Sequence, residues 1–221
     1  MERLVAGFIF SVLLSGCTHY VIPDVSRPQS SGIGIQIEPV LTGRLSIGRV
    51  YFVKIDDQDG LLQRGVFVSN YIKDYRAYLL NVRPGTYAAV AEANELSNGV
   101  QMTTYFSKEF VQATKVTIKE GELVFMGSYQ VETSGGLDGA DELQLHYVNV
   151  IGLTARRHAR GTLREVKNNE ASRIDFLVRA KEDLAGSKWG ERIAVPKHHV
   201  SGSEPDERGR DDSPRSSPPS R

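Results

Sequence analysis

Leu45–Ile55 reads LSIGRVYFVKI, a run of β-branched and aromatic residues that stops at Asp56-Asp57-Gln58-Asp59-Gly60. Such side chains suit a pleated, half-buried surface, and the Asp/Gly cluster supplies a turn, so this run is a strand with a defined end. Upstream, Ile33, Ile35 and Ile37 alternate with Gly34, Gln36 and Glu38. A period of two marks a second strand with one buried face. Downstream, strand-like segments recur at short intervals: Gly65–Val68, Ala77–Val82, Thr86–Ala93, Thr103–Phe106, Lys115–Lys119, Glu122–Val131 and Glu142–Ile151. Turn residues separate them, among them Arg83-Pro84-Gly85, Ser97-Asn98-Gly99, Glu120-Gly121 and Ser134-Gly135-Gly136. This spacing predicts a mainly β domain over 32–154, a β-sandwich or barrel. Phe106, Phe110 and Val111 fall at helical spacing, so 106–113 reads as a helical turn. Tyr71 and Tyr75 flank Lys73-Asp74 in a predicted loop.

The pattern changes beyond Ile151. Ala155–Arg160 (ARRHAR) reads as a basic loop, and Ser172–Leu184 (SRIDFLVRAKEDL) as a helix. Ser172 is the expected N-cap with Asp175 completing a capping box, and Gly186 the expected stop. Ile174, Leu177 and Val178 form the expected stripe, flanked by Phe176, Ala180 and Leu184. Trp189 and Ile193 are expected to fold back as core anchors. The segment 155–200 is thus read as a basic loop and C-terminal α-helix packed on the β domain. Residues 201–221 carry four prolines, six serines, five acids and four arginines with no large apolar side chain, and are expected to form a disordered tail.

Composition narrows the function. Twenty-seven basic and 27 acidic residues balance to zero net charge, which excludes nucleic-acid binding through bulk positive charge. A single cysteine excludes an intrachain disulfide and a multi-cysteine zinc site.

In the middle, Leu80-Asn81-Val82-Arg83-Pro84-Gly85-Thr86-Tyr87 resembles the Pro-Gly hairpin of transthyretin-like and carboxypeptidase-regulatory-like β-sandwich domains. Lys119–Gly127 resembles a later strand start of the same domains. The resemblance covers about 45–131 and implies a transthyretin/Ig-like sandwich of the binding or scaffolding kind. Pro84 would preset the turn, Gly85 would take a positive φ, and Tyr87 would pack over it. The C-terminal signature of the transthyretin-related hydrolases is absent.

The N-terminus carries an address. Leu4–Leu14 is an uncharged run of eleven residues, too short to span a bilayer and of the length of a signal-peptide core. Leu14-Ser15-Gly16-Cys17 follows, and resembles the lipobox of bacterial lipoproteins. The resemblance implies removal of residues 1–16, a diacylglycerol thioether on Cys17, and membrane lipid as the first partner. Thr18, where an aspartate favours inner-membrane retention, points to the outer membrane of a two-membrane cell. Residues 17–31, with two prolines and three serines after Cys17, read as an extended tether.

Chemistry is sparse. There is no H-E-x-x-H and no G-x-S-x-G motif. Asp56, Asp57 and Asp59 do not match a calcium loop, since Ile55 and Val66 would fall at its first and twelfth positions. His198-His199 with Glu204 and Asp206 make at most a weak surface metal site, His146 is expected to face solvent from a strand, and the Asp138/Asp141/Glu142 stretch reads as an acidic loop. Arg156, Arg157 and Arg160 form one basic cluster suited to lipid phosphates or acidic envelope polymers. No cofactor or metal is implied. The resulting expectation is a lipid-anchored envelope protein without catalytic activity, binding a protein or polysaccharide. The alternatives are an envelope hydrolase with no recognisable motif and a carbohydrate-binding module.

Overall fold

A computed structural model describes residues 21–39, 46–55, 60–95, 100–152 and 157–196. The alternating stretch is β1 (Ser31–Pro39), and its two faces have different jobs. Ile33, Ile35 and Ile37 are buried in the main core. Gly32 and Gly34 lie on the other face, under the second core: a Cβ on Gly34 would collide with the Phe176 ring, and one on Gly32 would sit 2.8 Å from Leu123 and 3.4 Å from the Trp189 ring. These glycines let aromatic rings rest on the strand backbone. Gly34→Ala is therefore expected to expel Phe176 and lower stability by about 1–3 kcal/mol in urea unfolding, the usual effect of overpacking.

The remaining strands are β2 (Ser46–Ile55), β3 (Val66–Val68), β4 (Tyr71–Lys73), β5 (Arg76–Val82), β6 (Gly85–Glu95), β7 (Gln101–Phe106), β8 (Val116–Ile118), β9 (Leu123–Gly135) and β10 (Arg157–Lys167). The fold is mainly β with C-terminal helices, as the sequence predicts. All ten strands belong to one mixed sheet in the order β3-β2-β6-β7-β10-β9-β1-β5-β4, with β8 also on β6. Two pairings, β1 with β9 and β10 with β7, are parallel. The two ends of this order, β3 and β4, are consecutive in the chain and joined only by Ser69 and Asn70, so the ribbon returns on itself as a ring. The pairing order does not show the two separate sheets of a sandwich.

Four helices complete the fold: α1 (Lys108–Ala113), α2 (Glu142–Ile151), α3 (Glu170–Asp183) and α4 (Lys188–Arg192). Phe110 of α1 sits 4.1 Å from Phe106, ring to ring, within the main core. A second core lies outside the ring, where Phe176, Leu177, Ala180, Leu184, Trp189 and Ile193 cover Tyr78, Leu80 and Phe125. Phe176 stacks on Phe125 at 4.1 Å.

Several expectations are corrected. Glu142–Ile151 is a helix, not a strand: Leu143, Leu145 and Tyr147 mimic a period of two, but Asp141 and Gln144 form a capping box that starts α2. Leu143, Gln144, Tyr147 and Ile151 are buried at helical spacing, while Leu145 is exposed. The basic loop 155–160 becomes, from Arg157 on, β10, whose small Ala159 and Gly161 fit against Thr104, Phe106 and Val131. The α3 cap is Asn169, with Ser172 at the third helical position returning the bond to it. Val178 is exposed rather than part of the stripe. Tyr71 is buried on β4 rather than in a loop, while Tyr75 lies exposed in the two-residue turn that joins β4 to β5. The turn at Arg83-Pro84-Gly85 has Gly85 at φ +148°, and the Tyr87 hydroxyl donates to the Arg83 carbonyl at 2.9 Å, as expected. The strands it joins pair with other strands and not with each other.

Candidate functional site

Residues 21–31 do not hang free as a tether. They run along the second core as a strap, with Ile22 and Val25 packed against it. The carbonyls of this proline-rich segment are its handles. The Trp189 indole N–H donates to Pro23 O at 3.0 Å. The Arg192 guanidinium donates to Ser30 O and Pro28 O, each at 2.8 Å, and lies 5.1 Å over the Trp189 ring. Composition alone read a tether because these partners are about 160 residues away.

Asn81 holds the strap from the other side. It adopts φ +67°, a left-handed conformation tolerated by asparagine, and forms a bulge where the β1–β5 register slips between Ser31 and Gly32. Its Oδ1 accepts from Ser26 N at 2.8 Å and its Nδ2 donates to Asp24 O at 2.7 Å.

Beside Asn81 the ring is not sealed. Asn70 closes the gap between β3 and β5 at one point, its side chain bonding both the N–H and the C=O of Leu80. Beyond it the strands part, leaving a notch of about 640 Å³ lined by Lys54, Phe67, Val68, Asn81, Arg83 and Tyr87, with other residues. Phe67 and Val68 are each 40 % exposed. Phe67 meets the buried Tyr87 ring edge-on at 5.9 Å, and the Lys54 ammonium stands 6.0 Å over it. Burial raises the Tyr87 phenol pKa, keeping it neutral and hydrogen-bonded. Among the described residues neither Lys54 nor Arg83 has a carboxylate partner.

A polar cleft of about 420 Å³ behind α3 differs in this respect. Its cations are already paired: Arg76 with Asp183 at 2.6 Å, Arg179 with Asp175 at 3.0 Å, and Lys167 with Glu165 at 3.8 Å. Asp183 also accepts from the Tyr78 hydroxyl at 2.5 Å, and its backbone carbonyl accepts from the Tyr71 hydroxyl at 2.9 Å. Desolvation, then the hydrogen bond to Asp183, pushes the Tyr78 phenol far up, so it stays a donor at every physiological pH. This network pins α3 to β4 and β5.

Glu92 is buried between Val50 and Thr104 in register, with the Asn94 amide 3.4 Å away. Desolvation pushes its carboxyl from 4.5 up to about 7, against the smaller effect of the Asn94 bond. A raised carboxyl pKa means that the folded state holds a proton the unfolded chain has released. Stability from this group is full below about pH 4.5 and lost as pH rises through about 7, a swing of about 3 kcal/mol. Glu92→Gln is expected to flatten that decline, gaining most over the wild type above pH 7, as measured by urea unfolding from pH 4 to 8.

The sequence-predicted residues scatter. Cys17, His19, Asp56, Asp57, Asp59, Arg156, His198, His199, Glu204, Asp206 and the tail 201–221 lie outside the described residues. Arg157 and Arg160 are three apart on β10 and so point to opposite faces, which divides the expected basic cluster. His146 is on a helix and pairs with Gln63 O at 3.0 Å. His158 stacks on Tyr105 and bonds its hydroxyl through Nδ1 at 3.1 Å. Asp141 of the acidic stretch caps two helices, accepting from Gln144 N and Lys108 N. Trp189 is fully buried, the anchor it was expected to be. Sequence reading missed Asn70, Asn81 and Arg192. An asparagine inside a strand pattern was the available signal for Asn81. No family model matches this chain, and no curated protein matches it.

Proposed function

We propose that this protein is a lipid-anchored component of the bacterial cell envelope, held by acylated Cys17 and acting through binding rather than catalysis. The observation that carries the reading is the LSGC motif, with the chain's lone cysteine, five residues before Ile22, the first side chain of the strap packed on the second core. An anchored cysteine there would hold the body close to the bilayer rather than at the end of a free tether. Two or three acyl chains make such an anchor stable where one is marginal. The outer membrane is the favoured site by the Thr18 criterion, and an envelope protein or polysaccharide is the class of partner. In support of a binding role, Lys54 and Arg83, without a carboxylate partner among the described residues, lie beside exposed Phe67 and Val68 at the notch. Cells fed a palmitate analogue are expected to label the wild type and not Cys17→Ser, which should leave the membrane fraction. Unchanged membrane partitioning of Cys17→Ser would overturn the reading.

A further inference from the structure

The strap limits how the body can lie. Cys17 and Ile22 are five residues apart, and five residues span at most about 18 Å when fully extended. Ile22 packs against the second core, the next carbonyl, Pro23 O, is bonded to the Trp189 indole, and Asp24 O is bonded to Asn81. Asn81 and Leu80 also line the notch. A thioether lipid on Cys17 therefore brings the notch side within a short leash of the headgroups and leaves β10, the middle strand of the order and the one farthest from both β3 and β4, on the opposite side.

The notch presents what a headgroup region accepts. Phe67 and Val68 offer exposed apolar surface, and Lys54 and Arg83 offer charges with no carboxylate partner among the described residues. Exposed apolar side chains flanked by basic ones bury into the interface while the cations meet lipid phosphates. The polar cleft behind α3 has no such unpaired cation to offer.

Resting on the anchor reading above, we propose that the notch face (Lys54, Phe67, Val68 and Arg83) docks on the anionic headgroups of the bilayer that holds Cys17. The lipid on Cys17 and this face then act as two signals, giving the body one orientation rather than free rotation about the leash.

The test uses the full chain purified from cell membranes and reconstituted into vesicles of phosphatidylcholine and phosphatidylglycerol. Acylation consumes the only native thiol, so Val68→Cys or Val166→Cys places a single bimane dye at the notch or on exposed β10. A nitroxide-labelled lipid reports proximity. Quenching is expected to be about threefold or more greater at Val68→Cys than at Val166→Cys, as a side chain inserted 5–10 Å differs from one held away from the bilayer. Adding Lys54→Glu and Arg83→Glu should bring the two positions level. Equal quenching at both sites, or at neither, in protein whose mass shows the acyl groups overturns the docking alone. Protein whose mass shows no lipid overturns the anchor reading and the docking with it. Quenching at Val68→Cys that appears only after removal of residues 201–221 identifies the chain's own tail as the occupant and overturns the docking.

Discussion

Asp183→Ala is expected to lower stability by about 3–5 kcal/mol, the usual loss when one member of a buried ion pair is removed. The arginine and aspartate side chains of the Arg76–Asp183 pair are only 10 % and 5 % exposed. Without Asp183, Arg76 keeps only the solvent-exposed Asp74 at 3.2 Å, and the buried Tyr78 hydroxyl loses its acceptor. In a chain of this size the shift in Tm is on the order of 10 °C. The double variant Arg76→Met with Asp183→Leu separates the pair's net contribution from the cost of breaking it. It is expected to recover most of the loss, because apolar side chains replace buried ions at little cost. A double variant as unstable as the sum of the singles would mean the network does more than pin α3, and would contradict this account of it.

Trp189→Ala is expected to be comparably severe, at about 3–5 kcal/mol, because it empties the centre of the second core. Its particular consequence is at the N-terminus. Trp189 binds Pro23 O and supports the Arg192 guanidinium that binds Pro28 O and Ser30 O. Its loss should release the strap, so that amides of residues 22–30 exchange with solvent many times faster than in the wild type. Trp189→Phe keeps most of the ring and loses only the indole bond, about 1 kcal/mol. Strap amides in Trp189→Ala that remain as protected as in the wild type would show that the strap is held by something other than α4.

How much of this was legible follows from the range of each interaction. The alternation of Ile33, Ile35 and Ile37, the apolar run from Leu45 and the Pro84-Gly85 turn are local signals, and each lies where it was expected. Glu142–Ile151 failed because a short run with both periods is decided by its cap, and Asp141 was read as part of an acidic loop. β10 failed because its inward positions are Ala159 and Gly161, too small to register as apolar. The strap was hidden because the segment contributes carbonyls rather than side chains, and its partners come from the far end of the chain. The notch was illegible in principle: Lys54, Phe67 and Arg83 meet only because β3 and β4 close the ring. Cys17 stands apart, since its reading rests on a motif that no fold is needed to interpret.

Intact mass spectrometry of the protein purified from cell membranes tests the anchor most directly. The account predicts a polypeptide starting at residue 17, heavier than that sequence by a diacylglyceryl group and, where the new amino terminus is acylated, one further acyl chain. A polypeptide that retains residues 1–16, or that starts at residue 17 with an unmodified sulfhydryl, would contradict it.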